Sequence, residues 1–341
     1  MLEANPGLAR AIMGLIGDAW ITDLTQLVRL KSFADDRGAR DLFLASKRDS
    51  KRKFADRLKS RSGESVDPNT IFDCHIKCIH EYKRQLLNAL RIVVDYNRLR
   101  ENPAVEMAPR TFFFAGKAAP VYHLAKLIIK CINNLAVTID GDPWCVPGSR
   151  WFFCPSTTCS LAERLIPASD VSNQISRAGY EASGTSNMKF MMNGALTVGT
   201  RRCTIEMAEE AGEENFFLFG LTAAKVESSR GWYSPYWRYE HEPETRAALD
   251  LIFSGHFSRD EPEVFAPLRD ALLTLGDHYM HLADLTSYCK AQERLGELYV
   301  DRDAWARKAI LNVASSGKFS SDCTIAEYAA DIWNAKPCPV V

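Results

Sequence analysis

Nowhere in the 341 residues do apolar side chains run on for the ~18 positions that a membrane-crossing helix needs, so no membrane partner is expected. The opening, Met1-Leu2-Glu3-Ala4-Asn5-Pro6, lacks a charged stretch followed by an apolar one, so no signal peptide is expected. Neither sign of charge dominates. Lysine and arginine number 42 against 43 aspartates and glutamates, a net charge of −1, which leaves no global field to draw nucleic acid. None of the ten cysteines forms a C-x-x-C pair, and some (Cys131, Cys154) sit in apolar runs. The expectation is reduced, buried thiols in a cytoplasmic protein. Repeats and low-complexity segments are missing as well. What is present is an ordinary globular composition, 46% hydrophobic and 25% charged, long enough to bury a sizeable core.

Apolar spacings of three and four predict helices over 8–16 and 24–30. The stretch 36–61 gathers Lys47, Arg48, Lys51, Arg52 and Lys53, but Asp35, Asp36, Asp41, Asp49 and Asp56 are interleaved, which predicts a solvated helix rather than a nucleic-acid surface. Strand-like runs at 70–76, 111–115, 151–154, 196–200 and 216–219 alternate with helical ones at 81–100 and from Pro120 through 135, with Pro120 suited to a first helical turn. That alternation predicts an α/β fold: a Rossmann-like parallel sheet flanked by helices. Ligands in such sheets bind beyond the carboxyl ends of the strands, which directs attention to the loops after Ile76, Ala115, Cys154 and Thr200. The division expected is a helical lead-in over 1–65, the sheet-bearing lobe over 66–310, and a final helix and tail over 311–341. Thr324 and Glu327 have the spacing of a capping box for that last helix.

Two segments carry chemistry. In 181–190, Gly184, Thr185 and Ser186 are small enough to bring backbone N–H groups close to a ligand, and a helix starting just after them would present its N-terminus to a phosphate. Lys189 then lies one turn further in, where a partly desolvated lysine can form a Schiff base with an aldehyde cofactor. A G-T-S turn beside a surface lysine is common, so this pattern alone is weak. The other segment, Lys77-Cys78-Ile79-His80-Glu81-Tyr82-Lys83-Arg84-Gln85, follows a strand and opens a helix, which sets its cations on the ligand-bearing edge. Smaller signals fail: His278 and His281 have no third metal ligand at useful spacing, Cys74 and Cys78 lack further ligands, and Gly317-Lys318 lacks the leading glycine of a P-loop.

Together the two segments resemble the glucan (glycogen/starch) phosphorylase family, whose members carry K-R-I-H-E-Y-K-R-Q and E-A-S-G-T-G-N-M-K-F-M. The resemblance extends through Asn5-Pro6-Gly7-Leu8-Ala9, the stretch 116–120, Ser160-Leu161-Ala162-Glu163, the stretch 206–215 and Ser316-Gly317-Lys318-Phe319-Ser320-Ser321-Asp322. It implies the C-terminal lobe of a GT-B glycosyltransferase architecture. It also implies reversible phosphorolysis of terminal α-1,4-linked glucose to glucose 1-phosphate, with inorganic phosphate and glycogen, starch or maltodextrin as substrates. By the same resemblance Lys189 holds pyridoxal 5'-phosphate, with Thr185, Ser186 and Lys77 at the cofactor's phosphate. Lys83 binds the substrate phosphate, and Glu181, Ser183 and Gly184 hold the glucosyl hydroxyls. Lys77 and Lys83 are thus the expected catalytic residues.

The sequence departs from that family at telling places. Cys78 stands where the family has a phosphate-binding arginine, and a thiol cannot offer the guanidinium fork. Ser186 replaces a glycine, and Val121 replaces another. Pro155-Ser156-Thr157-Thr158-Cys159 stands for E-N-Y-R-V, and Arg201-Arg202-Cys203-Thr204 for L-D-G-A-N. Family chains are more than twice as long, so the resemblance implies a partner N-terminal lobe, with homodimer contacts, without which a site built between lobes is incomplete. A non-catalytic remnant that binds the cofactor or a protein partner is the competing expectation.

Overall fold

The computed structural model describes residues 1–142, 150–154, 159–181, 184–200, 204–229, 231–336 and 338. Six strands form one sheet: β1 (Ile71–Ile76), β2 (Arg110–Ala115), β3 (Arg150–Cys154), β4 (Val171–Gln174), β5 (Leu196–Thr200) and β6 (Phe217–Phe219). Their spatial order is β3-β2-β1-β4-β5-β6, and every neighbouring pair is parallel. The order reverses between β1 and β4, so the loops leaving those two strands diverge and open a crevice at the carboxyl edge. This is the α/β, Rossmann-like architecture that the strand–helix alternation predicts.

Side-chain parity along the strands sorts the core. Ile71, Phe112 and Phe114 pack with helices α3 (Gln85–Glu101) and α4 (His123–Asp140). The intervening Phe72, Cys74 and Phe113 face α2 (Arg37–Ser62), α5 (Cys159–Ala168) and α6 (Thr185–Met192). Phe54 of α2 closes an edge-to-face triad there, 5.4 Å from Phe113 and 6.3 Å from Phe72. Helix α1 (Pro6–Ile16), started by Pro6 and capped by Asn5, packs with Leu27 and Leu30 onto Ile310 and Val313 of the helix Arg302–Ser315.

The sequence reading leaves out one strand and misplaces two helix starts. Strand β4 reads as polar, Val-Ser-Asn-Gln, yet it is buried beside β1 at the centre of the sheet. A closed network makes that tolerable: Asn173 donates to Asp73 and accepts from Tyr288 (2.7 Å) and Gln292 (2.9 Å), while Arg110 donates to Asp73 at 3.0 Å. Pro120 does not open a helix. The chain turns through it, Tyr122 N–H bonding to the Ala119 carbonyl, and α4 starts at His123; the Tyr122 hydroxyl bonds to Glu81. The last helix, Ser321–Asp331, is capped by Ser320, whose hydroxyl accepts from Cys323 N–H. Thr324 lies inside that helix and bonds back to the Ser320 carbonyl, and Glu327 pairs with Lys318.

Nor is α2 simply solvated. Its inward stripe includes Lys51, whose ammonium is buried against Asp170 at 2.5 Å, and Lys47, whose ammonium donates to the carbonyls of Pro167, Ser169 and Asn193. No helix of the described residues is long and apolar enough to cross a membrane.

Candidate active site at the carboxyl edge of the sheet

The loop leaving β1 is locked before it turns. Lys77 N–H bonds to the Ala115 carbonyl and Ile79 N–H to the Lys117 carbonyl, extending the β1–β2 pairing past the strands. Gly116 permits this: a Cβ there would lie 2.0 Å from the Lys77 carbonyl oxygen, so no larger residue fits without moving backbone. The chain then makes a single 3₁₀ turn over Glu81–Lys83, capped by the His80 ring, and enters α3 through Arg84 in the left-handed region, φ 59°. Arg84 is fully buried. Its guanidinium donates to the Ile175 carbonyl (2.7 Å) and to Asp284 (2.6 Å), which offsets the conformational cost and pins the turn to the loop after β4.

That second loop runs from Ile175 to α6. Arg177 N–H bonds to the Tyr82 carbonyl at 2.8 Å, and the Thr200 hydroxyl bonds to the Ser176 carbonyl, so the loops after β1, β4 and β5 brace one another. Glu181 is thereby brought against the first loop. Its carboxylate accepts from Lys77 Nζ at 2.8 Å, lies 3.5 Å from Lys83 Nζ, and accepts from the Ser176 hydroxyl. Among the described residues, two largely buried ammonium groups share one largely buried carboxylate in the crevice. Burial works to raise the Glu181 carboxyl, but Lys77, Ser176 and Lys83 outweigh it and hold it below the usual range. For Lys83, burial works downward and is overcome by the Tyr82 hydroxyl and Glu181, which keep the amine more basic than usual. Beneath them His75 is driven down to about 3, first by burial and then by the charge on Lys77.

Helix α6 supplies the other element. Gly184 is its N-cap in extended conformation and contributes no capping side chain. Thr185 and Ser186 form its first turn, and Ser186 has ordinary helical geometry with no positive φ, so a serine replaces glycine there without strain. Lys189 lies four residues after Thr185, hence on the same face. It is exposed, and its ammonium has no hydrogen-bond or ion-pair partner among the described residues. The residues expected from the sequence therefore fall in two groups. Lys77, Lys83 and Glu181 meet directly; Gly184, Thr185, Ser186 and Lys189 line the start of α6, three residues further along from Glu181. Ser183 lies outside the described residues, as do 155–158 and 201–203 in two of the loops singled out from the sequence. Cys78 is exposed beside Lys77.

Reading the sequence missed Ser176, His75 and Arg84 as site-building residues. Only Arg84 left a trace there, as an extra cation in a basic helix start. His278 and His281 are not directed at a common point: the first bonds to the Tyr180 hydroxyl, the second to Asp277.

The fold is a doubly wound parallel sheet with two lysines converging on an acid at its switch point. The chain belongs to the carbohydrate phosphorylase family, whose sequence model matches residues 1–335. It is 47% identical over 339 residues to a glycogen phosphorylase of Synechocystis sp., covering 99% of this chain and 40% of that protein. Similarity to a glycogen phosphorylase of Chlamydia pneumoniae is 46% identity over 331 residues, 97% of this chain and 40% of the relative. The brain form of glycogen phosphorylase from Mus musculus is 45% identical over 339 residues, with 99% and 40% covered. The chain thus spans 40% of the length of these curated relatives.

Proposed function

We propose that this chain is the cofactor-carrying half of an α-1,4-glucan phosphorylase. In that reading it cleaves terminal α-1,4-linked glucose from glycogen, starch or maltodextrin with inorganic phosphate, giving glucose 1-phosphate, once an N-terminal lobe completes the crevice. The observation that carries the reading is the meeting of Lys77 and Lys83 on Glu181 beside α6, eight residues before the unpaired Lys189. The residues fit pyridoxal 5'-phosphate: Lys189 would hold its aldehyde carbon, and the first-turn amides at Thr185 and Ser186, together with Lys77, its phosphate. Bound there, the cofactor would supply a phosphate group for proton exchange at the site of the inorganic phosphate.

The chain's own residues have an electrostatic task. Two phosphates brought close in a site shielded from water repel strongly, and fixed cations must offset that repulsion. Lys83 is assigned to the substrate phosphate and stays charged across the neutral range. Glu181, held ionised by Lys77 and Ser176, is assigned to the glucosyl hydroxyls, as are Ser183 and Gly184 by the resemblance.

Cys78 favours a second reading. An exposed thiol where the resemblance places an arginine removes one phosphate fork, as expected of a relative that keeps the cofactor site and has lost turnover. Glucose 1-phosphate formation from maltodextrin and phosphate separates the two readings. The chain is loaded with pyridoxal phosphate and assayed alone and with the N-terminal half of the Synechocystis relative. Turnover that needs the added half and falls at least ~100-fold in Lys83→Met supports the enzyme. Turnover unchanged by Lys189→Ala would overturn the assignment, and none with a loaded, folded complex would leave the second reading standing.

A further inference from the structure

The opposite edge of the sheet, where β1, β4 and β5 begin, holds a cavity of about 260 Å³. Its base is the buried Lys51–Asp170 pair, and its wall includes Tyr299 and Trp305, packed edge to face at 5.0 Å. The exposed Arg48, Arg52 and Arg302 also line it. Five cationic side chains therefore line a concavity that contains one carboxylate. That carboxylate is already engaged: Asp170 accepts from Lys51 at 2.5 Å and from Phe72 N–H at 2.8 Å.

The remaining positive charge is not cancelled. Lys47 is held by three neutral carbonyls, at 2.9, 2.6 and 2.9 Å, and burial lowers it to about 8, so the ammonium is still the main form at pH 7. Arg48, Arg52 and Arg302 have no carboxylate partner among the described residues. Arg302 is pre-positioned, its guanidinium 3.6 Å from the centre of the Tyr299 ring. Of the aspartates interleaved in this stretch, Asp49 pairs with Lys53, at 2.6 Å, and not with the cavity arginines. Concave walls focus the field of like charges and concentrate counter-ions, and guanidinium groups match phosphate oxygens in geometry. The volume lies just below the range of ordinary small-molecule pockets, which excludes a polymer.

We propose that this cavity binds a small multivalent phosphate anion, held by Arg48, Arg52 and Arg302 above the Lys47 and Lys51 ammonium groups. The site lies at the other edge of the sheet from Lys77 and Glu181 and does not depend on the function assigned there. Calorimetric titration with inorganic pyrophosphate at low salt tests it, on the full chain and on two triple variants of equal charge. Arg48→Gln/Arg52→Gln/Arg302→Gln is expected to weaken one binding event at least ~tenfold, since it removes three charge-assisted contacts. Lys53→Gln/Lys59→Gln/Arg61→Gln, on exposed positions of the same helix outside the cavity, is expected to leave it within twofold. Should the first variant fold poorly by circular dichroism, Arg302→Gln alone is expected to weaken binding at least threefold. Equal weakening by both triple variants, no weakening by either, or no binding to the unmodified chain would overturn the proposal.

Discussion

The two edges of the sheet each bury a lysine against a carboxylate, and the pairs do different work. At the amino edge, the hydrogens of Lys51 are all matched: Asp170, the Thr70 carbonyl and the Tyr299 hydroxyl take them, and the ammonium lies 4.5 Å from the centre of the Phe72 ring. At the carboxyl edge, Lys77 and Lys83 compete for Glu181 across a crevice. The pairs differ in how their donors are matched: every hydrogen of Lys51 has an acceptor, whereas two ammonium groups divide one carboxylate at the carboxyl edge. Coulomb attraction alone does not distinguish them; the count of partners does.

The contrast breaks most sharply at Lys51. Lys51→Met leaves Asp170 buried without its cation and is expected to cost about 3–5 kcal/mol in denaturant unfolding, against less than about 1 kcal/mol for the exposed Lys53→Met. At the other edge, Gly116→Ala is expected to cost about 3 kcal/mol, because its Cβ meets backbone rather than a yielding side chain. Crystallography or nuclear magnetic resonance should then show Lys77 displaced, whereas β4 and β5 remain in place.

Acid provides a third handle. His75 titrates near 3 in the fold, below its ordinary 6.5, so the unfolded chain takes up the proton first as pH falls. The stability due to the neutral ring is fully present above pH 6.5 and is lost progressively toward pH 3. Between pH 6.5 and 5 the loss from this one group is expected to reach about 2 kcal/mol, and His75→Phe should flatten that part of the profile. Glu181, depressed below its ordinary range, acts lower: its contribution is present above about pH 4.5 and is lost as pH falls through the folded value. The smallest effect is local. Ser320→Ala removes a helix cap and should cost about 1 kcal/mol, read as faster amide exchange confined to the helix Ser321–Asp331.

The contrast between edges also governs what could be read from the sequence. Strands β1, β2 and β5 were legible because buried parallel strands are runs of apolar residues, and Phe112-Phe113-Phe114 is unmistakable. Strand β4 was not, because its burial depends on Asn173 being satisfied by Asp73, Tyr288 and Gln292, partners up to 119 residues away. Lys47 and Lys51 read as surface charges for the same reason: the groups that match them, on residues 70, 167–170 and 193, are remote in sequence. At the carboxyl edge, Lys77, Lys83 and Glu181 stood out through the resemblance of their segments, whereas Ser176 and His75 belong to no motif and are found only by proximity. The displaced cap at Ser320 shows a different limit. Thr324 with Glu327 matches the capping-box spacing, whereas Ser320 has Cys323 three residues on and caps with its hydroxyl alone.

The account turns on Lys189. The purified chain is mixed with pyridoxal 5'-phosphate, reduced with borohydride and digested, and the modified lysine is located by peptide mass spectrometry, with Lys189→Ala as control. Stoichiometric label confined to Lys189, and absent from the control, is the predicted result. Label spread over exposed lysines, and unchanged by Lys189→Ala, would contradict it.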